Sequence, residues 1–106
     1  MPFFAYDLSL DLARSLRDPL ARIRGRNADL ATQLDRAADS VHLNLAEAGG
    51  RWGADRTRMF RIAYGSLREV KGSLELAILK GWLDGSEPAH ALAHRLGGML
   101  FRLAKL

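Results

Sequence analysis

The 106-residue sequence has no cysteine. That excludes a disulfide framework and a thiolate metal site, and it fits a reducing compartment. There are three prolines, so little interrupts helix formation. No apolar run approaches the roughly 20 residues that cross a bilayer. The opening stretch Met1-Pro2-Phe3-Phe4-Ala5-Tyr6-Asp7 has no basic region, and Asp7 and Asp11 interrupt its apolar residues. The expectation is a cytoplasmic protein without a leader peptide and without a membrane partner. Lysine is scarce. Only Lys71, Lys80 and Lys105 occur among 16 basic residues, which leaves thirteen arginines. The motifs of cofactor and metal enzymes are missing too. Gly49-Gly50 is not followed by Gly-Lys-Ser/Thr, and no His-Glu-x-x-His pattern occurs. The expectation is therefore no enzyme activity, no cofactor and no metal.

What is present favours helices. Hydrophobic residues make up 48% of the chain, enough for a core, and Ala, Leu and Arg dominate. The length fits one domain spanning 1–106. Leu8, Leu12, Leu16, Leu20 and Ile23 form a helical stripe from Asp7 to Arg24, with a kink or break near Leu16 imposed by Pro19. After the turn Gly25-Arg26-Asn27, with Asn27 or Asp29 as N-cap, a second helix runs from Ala28 to Ala48. Its stripe is Leu30, Leu34, Ala37, Val41, Leu45 and Ala48, and Gly49-Gly50 ends it. The third helix is predicted from Ala54 to Leu83. Its heptad seam is Phe60, Ala63, Leu67, Val70, Leu74, Ala77 and Gly81, flanked by a mixed stripe of Met59, Ile62, Ser66, Glu69, Ser73 and Leu76. Asp84-Gly85 makes a turn, Ser86 caps the fourth helix and Pro88 enters its first turn. The buried stripe there is Ala89, Leu92, Leu96, Met99, Leu100 and Leu103, with Gly97-Gly98 marking a close helix approach. Four helices joined by short loops imply an all-α, antiparallel four-helix bundle.

The polar residues on packed faces are Asn44 and Glu47 on the second helix and Ser66 and Glu69 on the third. They read as a network joining two helices or two subunits, because buried polar groups need partners. His90 and His94, four apart, read as solvent-exposed, and His42, beside the core of the second helix, as a hydrogen-bonded interface residue and not a catalyst. The basic residues concentrate between Arg51 and Lys71. Arg51, Arg56, Arg58, Arg61, Arg68 and Lys71 face only Asp55 and Glu69, so six positive charges less two negative leave +4, equal to the net charge of the whole chain. With Trp52 beside Arg51, this segment is the candidate nucleic-acid-binding surface.

Two separated motifs carry a family resemblance. The first is Ser40 followed by Asn44-Leu45-Ala46-Glu47 and Gly50-Arg51. The second is Ala63-Tyr64-Gly65-Ser66 followed by Glu69-Val70, and the opening Asp7-Leu8 with Ala13 and Leu16 agrees. Together they resemble the small four-helix-bundle family encoded in intervening sequences of bacterial 23S ribosomal RNA genes. The accessory variability determinant protein of diversity-generating retroelements is similar. Ala48 stands where the family usually has Gly, and Trp52-Gly53 stands where a small polar cap is common. The resemblance implies a ring-like homopentamer with a basic surface, and a partner that is RNA, DNA or a nucleic-acid enzyme such as a reverse transcriptase. The leading expectation is a non-enzymatic oligomeric binding module engaging nucleic acid. The alternative is a scaffolding oligomer with a protein partner.

Overall fold

The computed structural model describes residues 4–106, so residues 1–3 of the stretch read above for a leader lie outside the described residues. The described chain is all-α, with no strand. Its helices are α1 (Phe4–Ser15), α2 (Arg17–Arg24), α3 (Ala28–Ala48), α4 (Gly53–Leu79) and α5 (Pro88–Leu103).

The first helical stretch divides where Pro19 requires it. Proline has no N–H to donate to the Ser15 carbonyl, and the helix assignment breaks at Leu16. The Leu16 backbone nevertheless stays near helical values (φ −84°, ψ −9°), and the Leu20 N–H reaches the Leu16 carbonyl at 2.8 Å. The break is a kink in one rod, so Leu8, Leu12, Leu16 and Ile23 all stay buried along one face. At the start of α3, the Asn27 side chain accepts the Leu30 N–H at 3.0 Å, supplying one of the partners that first-turn donors lack.

The seam of α4 is buried from Phe60 to Ala77, but the helix stops at Leu79, four residues short of the predicted end. Gly81, assigned by periodicity to the seam, instead takes φ +77°. Its N–H bonds the Ile78 carbonyl, and the Trp82 N–H bonds the Ala77 carbonyl, each at 2.9 Å. This pair of bonds is a Schellman termination. Leu83 still reaches the core, from outside any helix. The predicted Ser86 cap is also corrected. The residue before α5 is Glu87, with Pro88 at the first helical position, and Ser86 turns its N–H and hydroxyl to Asp84 at 2.7 and 2.6 Å.

Packing is pairwise: α3 lies on α4, α4 on α5, α1 on both α3 and α5, and α2 on α3. The buried side chains of every helix join one apolar cluster. Along α5 the fully buried line is Ala89, Ala93, Leu96, Gly97 and Leu100, while Leu92, Met99 and Leu103 flank it half-buried. Small residues let α5 approach α4 closely: a Cβ placed on Gly97 would lie 3.3 Å from Leu67 Cδ2. No helix among the described residues is long and apolar enough to cross a membrane.

Candidate nucleic-acid interface

The structure divides the basic segment from Arg51 to Lys71 into residues that are already engaged and residues that are available. Arg51 is engaged. Its guanidinium lies 2.6 Å from Asp55 and 3.3 Å from Glu47. The hydrogen bond and charge of Asp55, joined by the charge of Glu47, hold its pKa above the usual arginine value. Two carboxylates on one cation leave no surplus positive charge there. Arg56 stacks over the Phe60 ring, 5.4 Å from its centroid. Arg61 donates its Nε–H to the Ala104 carbonyl at 3.0 Å, capping the C-terminus of α5 where a cation meets the negative end of the helix dipole. Arg58 is exposed on the first turns of α4.

Arg68 and Lys71 lie further along α4, where they meet α5. They line an open cleft of about 270 Å³ with Tyr64, His94, Phe101 and Arg102 around the backbone of Gly97 and Gly98. No carboxylate lines this cleft, and α5 itself contains no acidic residue. The Tyr64 and Phe101 rings meet at 5.9 Å with a 59° tilt, and Phe101 remains 47% exposed. A second open cavity of about 540 Å³ shares His94, Gly98 and Arg102 and adds Phe4, Arg95 and Met99. Cations beside accessible aromatic faces, with no carboxylate in the cleft lining, form a surface suited to phosphate and base together.

Of this site, the sequence pointed to Arg68 and Lys71; the glycine pair was expected to mark a close helix approach, which Gly97 does and the exposed Gly98 does not. It did not point to Arg95, Arg102, Tyr64 or Phe101 as partners, because α5 comes to α4 only through folding. Spacing alone offered one signal: His94, Gly98 and Arg102 recur every four residues and so share one helix face.

Of the four polar residues assigned to a network, only Asn44 and Ser66 enter one, joined through Ser40. Asn44 donates to the Ser40 carbonyl at 2.8 Å and to the Ser40 hydroxyl at 3.1 Å. The Ser40 and Ser66 hydroxyls pair at 2.8 Å, so a polar chain ties α3 to α4. Glu47 belongs to the Arg51 triad instead, and Glu69 is exposed. Nor do the two histidines of α5 share an environment. His94 is exposed, whereas His90 is half-buried, with Nδ1 3.6 Å from Glu87 Oε1 and 3.3 Å from the Glu87 carbonyl. Among the described residues no three His, Asp or Glu side chains are placed to hold a metal ion.

His42 Nδ1 lies 2.9 Å from the hydroxyl of the buried Ser9, and the His42 ring meets Tyr6 at 4.8 Å. The Ser9 hydroxyl gives its proton to the Tyr6 carbonyl at 2.6 Å, so His42 serves it as donor. A nucleophile–base pair needs the opposite polarity. The contact is a tie between α1 and α3.

No curated protein and no solved structure matches the chain. The model of one family, described as 23S rRNA-intervening sequence protein, matches residues 5–101. With nearly the whole chain covered, including both motifs and the helices that build the cleft, the protein belongs to the 23S rRNA-intervening sequence protein family.

Proposed function

We propose that this protein is a non-enzymatic, self-associating binding module that engages nucleic acid through the cleft between α4 and α5. In this reading α1 and α2 act as one kinked helix, which makes the fold an antiparallel four-helix bundle. The observation that carries the proposal is the convergence of Arg68, Lys71, His94 and Arg102 on an open cleft without a carboxylate. A ligand that satisfies such a set is a polyanion, and phosphate contacts supply most of the sequence-independent affinity for nucleic acids. The Ser9–His42 contact, with the Ser9 proton given to the Tyr6 carbonyl, supports the non-enzymatic part of this reading.

Self-association draws on a second observation. Ile62, Gly65, Glu69, Gly72, Leu76 and Leu79 follow one another along α4 at alternating spacings of three and four, and all are exposed. A Cβ on Gly65 or Gly72 would meet nothing within 4 Å. A heptad line of apolar residues and open glycines, interrupted by Glu69, suits a second helix lying close alongside, and another copy of this chain is the occupant in this reading. The line differs from the predicted mixed stripe because Ser66 and Ser73 turn partly inward.

The test is binding of structured RNA, single-stranded RNA and duplex DNA by Arg68→Glu/Lys71→Glu and by Arg51→Glu, across salt concentrations. The double reversal weakens binding to every polymer about tenfold or more and flattens its salt dependence. Arg51→Glu, a charge reversal made outside the cleft at a cation already paired with two carboxylates, changes it much less. Unchanged binding by the double variant would overturn the assignment.

A further inference from the structure

A glycine in a helix interior normally has a packing reason or a conformational one. Gly97 has the first, since its Cβ would press on Leu67 at 3.3 Å. Gly98 has neither. Its φ is not positive, and the one atom near a Cβ placed there is a terminal guanidinium nitrogen of Arg102, at 3.8 Å. It is exposed, in a position where most residues would strengthen the helix.

The place of Gly98 in the cleft supplies the missing reason. His94, Gly98 and Arg102 form a ridge along α5, and the two cavities described above lie on its two sides, both reaching these three residues. Gly98 is the notch in that ridge. A helical side chain leans toward the turn before it, over the residues three and four positions back. For Phe101 those residues are Gly98 and Gly97, which add no side chain of their own; the atoms nearest a Cβ at Gly98 and Gly97 are the Arg102 guanidinium, Leu67 and Lys71, and the Phe101 ring stays 47% exposed beside them. On the far side of the notch stands Phe4, 66% exposed. Each aromatic therefore borders one cavity, Arg102 borders both, and the bare backbone of Gly98 joins them into a trough.

We propose that this trough is a single-strand-selective nucleic-acid site, in which an unpaired base stacks on Phe101 above the bare Gly98 backbone while Arg68, Arg102 and Lys71 hold the flanking phosphates. The inference rests on the nucleic-acid reading above and adds a specific form of ligand. Cations alone would take duplex and single strand alike. Aromatic faces in a slot are useful only for bases released from pairing, because a duplex keeps its base faces stacked on one another.

The experiment is fluorescence anisotropy with short single-stranded RNA, the same sequence as single-stranded DNA, and duplex RNA, at one salt concentration. The proteins are wild type, Gly98→Leu and Phe101→Ala. Gly98→Leu fills the notch without altering charge, and it replaces a glycine by a better helix former, so loss of binding by a folded variant is steric. Wild type is expected to prefer the single strands over the duplex. Each variant is expected to lose roughly tenfold or more of single-strand affinity and to keep the residual duplex affinity. Equal binding of RNA and DNA single strands assigns recognition to base and phosphate. A preference for RNA adds a contact to the ribose hydroxyl within the same site. If wild type binds nucleic acid but Gly98→Leu holds single strands equally well, the trough is overturned while the broader reading stands. If wild type binds none of the three polymers at low salt, both fall.

Discussion

Glu87 shows how much can rest on one side chain that patterning reads only as a helix-dipole residue. Its carboxylate accepts the N–H groups of Asp84 and Gly85 at 3.1 and 2.9 Å, and it pairs with Arg22 of α2 at 3.1 Å, 65 residues away in the chain. Burial pushes its pKa upward, but its own backbone N–H and those of Asp84 and Gly85 outweigh that and leave the carboxyl below its ordinary value of 4.5. A carboxyl depressed on folding adds stability above its unfolded pKa and loses it as the pH falls through the folded value. Glu87→Gln is therefore expected to destabilise the protein by about 1–2 kcal/mol at pH 7. The gap between variant and wild type should narrow from pH 5 downward in urea titrations. A gap that stays constant to pH 3 would assign the loss to altered loop geometry instead of charge. At this scale the sequence was legible where a residue acts on its near neighbours, as Asn27 does on Leu30. It was silent where the partner comes from another helix, as with Arg22 and Glu87, Ser9 and His42, or Arg61 and the Ala104 carbonyl.

At the scale of the helix, α4 carries two lines of the same period with different fates. The line from Phe60 to Ala77 is apolar throughout and wholly buried, so periodicity identified it. The line from Ile62 to Leu79 mixes apolar residues, two glycines and Glu69, and burial within one chain does not account for it: Leu79 is 81% exposed. Gly65 and Gly72 make the two explanations separable. Each sits in regular helix with open space where a Cβ would go, so alanine should stabilise the isolated chain by about 1 kcal/mol per site. Between closely packed helices the added methyl groups would instead hold the backbones apart. Gly65→Ala/Gly72→Ala is expected to raise thermal stability in dilute solution and to weaken self-association about tenfold or more, read by sedimentation equilibrium. Higher stability with unchanged association would show that this line is not where copies meet. The end of α4 was less legible than its middle because a positive-φ glycine and a seam glycine look alike in sequence. Only the bonds from Gly81 and Trp82 back into the last turn distinguish them.

For the whole molecule, the question is how a modest charge becomes an effective one. The net charge is only +4, and Arg51 and Arg61 are committed to structure, so the cleft and its flank offer a polyanion only Arg68, Lys71, Arg95 and Arg102 from a single chain. Family membership was legible because its two motifs lie on α3 and α4 in the chain's own order. The binding surface was only half legible, since it takes one wall from α4 and the other from α5. If several copies present this cleft to one strand, their grips on its phosphates add, and salt dependence reports how many phosphates are held. The slope of log K against log salt changes by roughly 0.7 for each phosphate of a single strand that the protein neutralises. Arg68→Ala should thus flatten the slope by about 0.7 when one cleft holds the strand, and by about that amount times the number of clefts when several do. Glu69→Lys, which replaces the carboxylate in the middle of the proposed seam by a cation, should dissociate the oligomer while leaving the cleft intact. In that background the slope should fall to the single-cleft value, and Arg68→Ala should then free only one phosphate. An unchanged slope in a protein shown by sedimentation to be monomeric would mean that each chain binds alone, and that assembly contributes nothing to the grip on nucleic acid.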